Sequence, residues 1–239
     1  AAALEAGIRI MQYRQKHAPA AQRREQLQAL KALCAQHDAL LIVNDDWQLA
    51  AALSIGAVHL GEDDGDIAEA RRALGPEALI GVSCYASVAR AQALAPLAVS
   101  LAFGALFASG TKPLARRASL DLFGQVRALQ LGLPLVGIGG IDAGNIGTVL
   151  AAGADAAAVI GSLFGQGDVG AAARALVAAA GRPPGRGRPE PGGRARKYSY
   201  DALKILQRVW AASGGQCGKY LKESMPLLLD LLEASGELD

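Results

Sequence analysis

Residues Leu40–Ser87 read LLIVNDDWQLAAALSIGAVHLGEDDGDIAEARRALGPEALIGVSCYAS. Three short apolar runs, Leu40–Asn44, Ala57–Leu60 and Leu79–Ser83, are separated by two helix-favouring stretches, Asp46–Ser54 and Ile67–Leu74. Strand and helix alternating at this spacing imply right-handed crossovers and a parallel sheet with helices outside it. Each run also ends in a burst of polar residues, NDD, GEDDGD and SCYAS. The C-terminal ends of parallel strands are where a barrel of this kind keeps its chemistry.

The alternation extends in both directions. Upstream lie a strand at Ile8–Tyr13 and a helix at Ala20–Asp38. Downstream come strands at Val99–Phe103, Pro134–Ile138 and Ala156–Ile160, with helices at Val88–Leu94, Leu120–Leu131, Ala143–Ala152 and Val169–Ala180. Seven strand–helix units are one short of a (β/α)8 barrel. The opening AAALEAG reads as the end of a helix whose own strand would precede residue 1. The expected fold is therefore α/β: a (β/α)8 TIM barrel lacking its first strand over residues 1–180, with a short α-helical C-terminal appendage. The segment GRPPGRGRPEPGG at 181–193 has nine Gly or Pro among thirteen residues, so 181–197 reads as a linker. Residues 198–239 read as a helical tail, with helical patterns at Tyr200–Ala212 and Leu221–Ala234.

Composition narrows the function classes. Hydrophobic residues make up 51% and charged residues 19% of 239, which excludes a disordered or collagen-like chain. A net charge of +2 names no partner. Six basic side chains stand against one acidic in 181–197, enough for salt-dependent contact with nucleic acid, yet no aromatics are interleaved and a solvated linker is favoured. Cys34, Cys84 and Cys217 are too few and too scattered for a disulfide framework or a zinc site, which points to a reducing, cytoplasmic setting. No apolar run approaches the ~20 residues of a membrane span. The expected partners are small phosphorylated molecules, with a homo-oligomer left open.

Candidate site residues follow the strands. Alternation along QYRQK places Gln12, Arg14 and Lys16 on one face, two cations and an amide suited to a polyanion. Asn44, Asp45 and Asp46 offer hard oxygen ligands to a divalent cation, although one of the two aspartates is expected to cap the helix that follows. Asp63, Asp64 and Asp66 offer more. His59 reads either as a general base or as a packed histidine within its strand. Ser83 can donate to a phosphate, whereas Cys84 reads as a buried small residue with no partner base. Ser109, Gly110, Thr111 and Lys112 present hydroxyls, backbone N–H groups and an ammonium to an anion. Glycine-bearing ends GIGG (Gly137–Gly140) and VIGS (Val159–Ser162) allow close backbone approach to a phosphate.

Taken together, QYRQK, LIVNDDWQLA, VHLGEDDGDI, IGVSCYAS, the SGTK loop, VGIGGI and GADAAAVIGS resemble the thiamine-phosphate synthase family across residues 1–180. That resemblance implies condensation of a hydroxymethylpyrimidine diphosphate with a thiazole phosphate, giving thiamine phosphate and pyrophosphate with Mg2+. It assigns Gln12, Arg14, Lys16 and Asn44 to the pyrimidine diphosphate, and counts Tyr13 and Gln15 with them. It gives Mg2+ to Asp45 and Asp64, and the diphosphate also to Ser83 and Lys112. Ser109, Gly110, Thr111, Gly140, Ile160 and Gly161 fall to the thiazole phosphate, with Lys112, Ser83 and Arg14 as the catalytic set. Ser109 stands where the family usually has Thr, and Gly161 where it has Ser. The chain is two residues short before His59, which bears on the alignment of Asp64. An alternative is an inactive barrel relic. Residues 197–239 resemble a segment of integrase-type transposases outside the catalytic domain and carry none of that family's catalytic carboxylates.

Overall fold

A computed structural model describes residues 1–108 and 116–181. The Ser109–Lys112 loop, most of the linker and the whole helical tail lie outside the described residues. Two compact units, 1–185 and 186–239, divide the chain.

Seven strands form one parallel sheet in sequence order: β1 (Ile10–Tyr13), β2 (Leu40–Asn44), β3 (Ala57–Leu60), β4 (Leu79–Tyr85), β5 (Ser100–Phe103), β6 (Leu135–Ile138) and β7 (Ala156–Ala158). Every neighbouring pair is parallel. The sheet curls into a partial barrel. Among the described residues β1 and β7 each have one strand neighbour. The helices are α1 (Ala2–Glu5), α2 (Ala20–Gln36), α3 (Trp47–Ala52), α4 (Ile67–Leu74), α5 (Val88–Leu94), α6 (Asp121–Ala128), α7 (Ile146–Ala151), α8 (Gly161–Phe164) and α9 (Val169–Gly181). The first and last of them pack together, with Gly7 beside Val177.

Within the described residues the expected strands and helices all form, with shifted ends. Strand β1 starts at Ile10 rather than Ile8, and β7 stops at Ala158 because Ile160 turns to cap α8. Strand β4 runs two residues past Ser83, through a bulge between Ser83 and Tyr85. Helix starts follow capping chemistry. Asp46 Oδ1 accepts the Leu49 N–H at 3.0 Å, Asp66 Oδ1 the Ala68 N–H at 2.6 Å, and Ser87 Oγ the Arg90 N–H at 3.1 Å.

The core lies between sheet and helices. Leu60, Ile80, Leu101 and Leu135 of the strands are fully buried with Leu27 of α2 and Phe123 of α6. Phe103 and Phe123 meet edge to face, their ring centroids 5.8 Å apart. With both rings fully buried, Phe123→Ala is expected to cost about 3–5 kcal/mol through lost transfer and an unfilled cavity. Urea unfolding should show a midpoint lowered in proportion, without a change in slope.

A candidate active site on the C-terminal rim

The rim is built from residues that sit at, or shortly after, strand ends. At the end of β1, Gln12 Nε2 donates to Asn44 Oδ1 of β2 at 2.9 Å. Beyond Tyr13 the strand stops, so Arg14 and Lys16 reach the site from the loop rather than along a strand face. Arg14 Nε lies 3.4 Å and Lys16 Nζ 3.3 Å from Asp45 Oδ2. Tyr13 turns its hydroxyl to α2, donating to Gln26 Oε1 at 2.7 Å, and Gln15 Oε1 accepts the His17 N–H at 3.2 Å.

Asp45 is the centre of this half. Its backbone adopts a left-handed φ of +70°, which short polar side chains tolerate better than others. The Asn44 side-chain amide donates to Asp45 Oδ1, while Oδ2 is buried without a hydrogen-bond partner, its two cations near but not aligned as donors. Asp64, in the loop after β3, lies near enough to act on its charge. Burial pushes the Asp45 carboxyl above its ordinary range, Asp64 adds to the rise, and Lys16 and Arg14 oppose it. Two facing carboxylates with one unsatisfied oxygen suit a hard divalent cation that keeps most of its own waters. The short spacing before His59 has not parted the pair.

The other aspartates are spent elsewhere, which corrects the wider ligand set read from the sequence. Asp66 caps α4, and Asp46 caps α3 while pairing with Arg23 at 2.5 Å. Asp63 is exposed. Among the described residues no three His, Cys, Asp or Glu side chains gather as a metal cluster. Arg23, which sequence reading missed, lines a cleft of about 220 Å3 with Tyr13, Lys16, Asn44 and Asp45. An arginine one turn into a helix, facing a strand that ends in two aspartates, was the available signal.

His59 and Ser83 also meet, Nε2 lying 2.9 Å from Oγ. Burial lowers the His59 pKa to about 4, against an opposing pull from Asp64. The ring sits within β3, neutral at pH 7 and in hydrogen-bond contact with Ser83. Cys84 is fully buried and its thiol is pushed up to about 11, which leaves no thiolate nucleophile.

The second half of the rim is glycine-built. Leu106 N donates to Ile138 O at 3.0 Å and Phe107 N to Gly139 O at 2.9 Å, zipping the two loops together. Gly140 has φ +63°, and a Cβ there would stand 2.4 Å from Ala108 O. Ile160 and Gly161 open α8, and Ser162 Oγ donates to Ile141 O at 2.7 Å, tying that helix to the same loop. The hydroxyl missing at Gly161 is thus not supplied by Ser162, which faces the backbone.

Cations, paired carboxylates and close-packed glycine loops on one rim define an α/β enzyme scaffold suited to phosphorylated small molecules. The thiamine monophosphate synthase family matches residues 1–163, and the chain belongs to it. It is 54% identical over 178 residues to a thiamine-phosphate synthase of Chromobacterium violaceum, covering 74% of this chain and 85% of that one. It is 52% identical to the Halorhodospira halophila enzyme of the same name over 179 residues, again covering 74% and 85%. Its fold resembles a solved thiamine phosphate pyrophosphorylase from Pyrococcus furiosus, with TM-score 0.68, 32% identity, and coverage of 75% of this chain and 86% of that one. The inactive-relic reading has no support in these matches. Among the described residues no helix is long and apolar enough to cross a membrane.

The depressed His59 pKa carries a stability consequence. Between about pH 6.5 and 4 the unfolded chain takes a proton that the folded His59 refuses, so stability falls as pH falls. A shift of this size amounts to about 3 kcal/mol over that window, and the raised Asp45 acts in the opposite direction. Unfolding free energy measured from pH 7 to 4 should decline less steeply in His59→Gln than in the unaltered chain.

Proposed function

We propose that the chain is a transferase that joins a hydroxymethylpyrimidine diphosphate to a thiazole phosphate, releasing pyrophosphate and forming thiamine phosphate. The observation that carries this reading is the contact of Arg14 and Lys16 with a part-buried Asp45 that faces Asp64. Cations beside paired carboxylates form a seat for a metal-bound diphosphate rather than for a nucleophile. Family membership supports the same reaction.

Arg14, Lys16, Ser83 and Lys112 bind the diphosphate and hold it for departure, with Gln12, Tyr13, Gln15 and Asn44 placing the pyrimidine. Asp45 and Asp64 hold Mg2+, which when bound neutralises charge on the diphosphate. Ser109, Gly110, Thr111, Gly140, Ile160 and Gly161 seat the thiazole phosphate. The diphosphate leaves early, and the resulting pyrimidine cation is captured by the thiazole nitrogen, so the protein's task is to stabilise charge and exclude water. An inert Cys84 agrees with a reaction that forms no thioether or thioester intermediate. The reaction belongs to the 1–180 barrel, whose eighth strand position flanks β1 and β7. Residues 181–197 serve as linker and 198–239 as tail. Buried free thiols at Cys34 and Cys84 suit the cytoplasm. Homo-oligomers fit this reading, and nucleic acid has no part in it.

Incubation with both substrates and Mg2+, followed by assay for thiamine phosphate, tests the reading; no product under conditions where the chain is folded would refute it. Lys112→Ala should lower turnover on the order of 10²–10³-fold, the usual cost of one preorganised charge, with the melting temperature unchanged. A chain ended at Gly181 should turn over like the full chain. A loss of turnover without loss of folding would place part of the site in the tail.

A further inference from the structure

Tyr85 occupies a place that neither the sequence reading nor the proposed reaction uses. It ends β4 just after the bulge and holds a left-handed φ of +55°, a conformation that aromatic residues rarely adopt without compensation. Its contacts reach two neighbouring loops and helix α5. The hydroxyl accepts the Glu62 N–H at 3.1 Å, and the carbonyl accepts the Gly104 N–H at 3.1 Å. Arg90 and Arg116 stand against the ring at 5.8 and 6.0 Å from its centroid. Glu62 belongs to the turn Gly61–Asp64, in which the Gly61 N–H donates to Asp64 Oδ2 at 2.6 Å. A Cβ on Gly61 would lie 2.8 Å from that carboxylate oxygen and 3.2 Å from the Tyr85 hydroxyl, so the turn is clamped between the two side chains.

We infer that Tyr85 is a positioning residue. Its hydroxyl fixes the Gly61–Asp64 turn so that the Asp64 carboxylate faces Asp45 across the rim. The two arginines hold the ring, and the strained backbone aims it at the turn rather than along the strand. Without the Glu62 contact the turn has one internal bond, from Gly61 to Asp64, which moves with the turn and does not anchor it to β4. The hydroxyl supplies that anchor. This inference rests on the assignment of Asp45 and Asp64 to a divalent cation. Partners that orient metal-binding side chains typically change metal affinity 10–100-fold when removed.

The test follows Mn2+ binding to the full chain by water-proton relaxation in saturating inorganic pyrophosphate, alongside turnover at varied Mg2+. Tyr85→Phe should weaken Mn2+ binding about tenfold. It should raise the half-saturating Mg2+ concentration equally, while kcat at saturating Mg2+ and the melting temperature stay near those of the unaltered chain. Tyr85→Asn relieves the left-handed backbone yet cannot reach Glu62, so it should fold at least as well and still bind Mn2+ weakly. Asp64→Asn serves as the reference. If it weakens Mn2+ binding and Tyr85→Phe does not, the positioning role is overturned. If Asp64→Asn leaves Mn2+ binding intact, the metal assignment falls and takes the inference with it.

Discussion

Parallel pairing of seven consecutive strands is the constraint on which the molecule depends. Strands that all run one way must be joined by crossovers, and each crossover here returns a helix across the outside of the sheet. All seven C-terminal ends therefore fall on one rim. Gln12, Asn44, Asp64, Ser83, Gly140 and Gly161 fall on the same rim for that reason, although the first and last are separated by most of the described chain. The same geometry points the α3 and α4 N-termini at the rim, where Asp46 and Asp66 cap them.

The rim then divides by electrostatics. On the β1–β4 side, charge is concentrated and mutually compensated: Arg14 and Lys16 beside Asp45, Arg23 beside Asp46. Compensation is incomplete at Asp45, whose raised pKa records the cost of burying a carboxylate against another one. On the β5–β7 side the close contacts among the described residues are made largely by backbone groups.

Much of this was legible in the sequence, because strand alternation and polar strand ends are local patterns. The order of seven strands and the helices between them emerge from the residues quoted, whereas the choice of Asp64 as the partner of Asp45 came from the family resemblance. The losses have physical causes. Five aspartates in two adjacent loops look alike in sequence, yet capping claims Asp66 and Asp46 and solvent claims Asp63, leaving two. Arg23 and Tyr85 act across elements, one from a helix face and one through a left-handed bend after a bulge. Neither periodicity nor spacing encodes such a bend when the residue is not glycine. Helix α8 was missed because four residues give too short a pattern, and the strand before it was drawn two residues too long for the same reason.

The glycine contacts on the β5–β7 side have a further meaning for how such an enzyme can diverge. A Cβ on Gly104 would stand 2.2 Å from Ile138 O, one on Gly139 2.6 Å from the Ala105 Cα, and one on Gly140 2.4 Å from Ala108 O. Main chain meets main chain there, so no rotamer change can make room and no single replacement can reshape the seat. The β1–β4 side is assembled from side-chain contacts, Arg14 and Lys16 with Asp45 and Arg23 with Asp46. Change is therefore accessible by small steps on the β1–β4 side of the rim, whereas the glycine-built side would change only by exchange of whole loops.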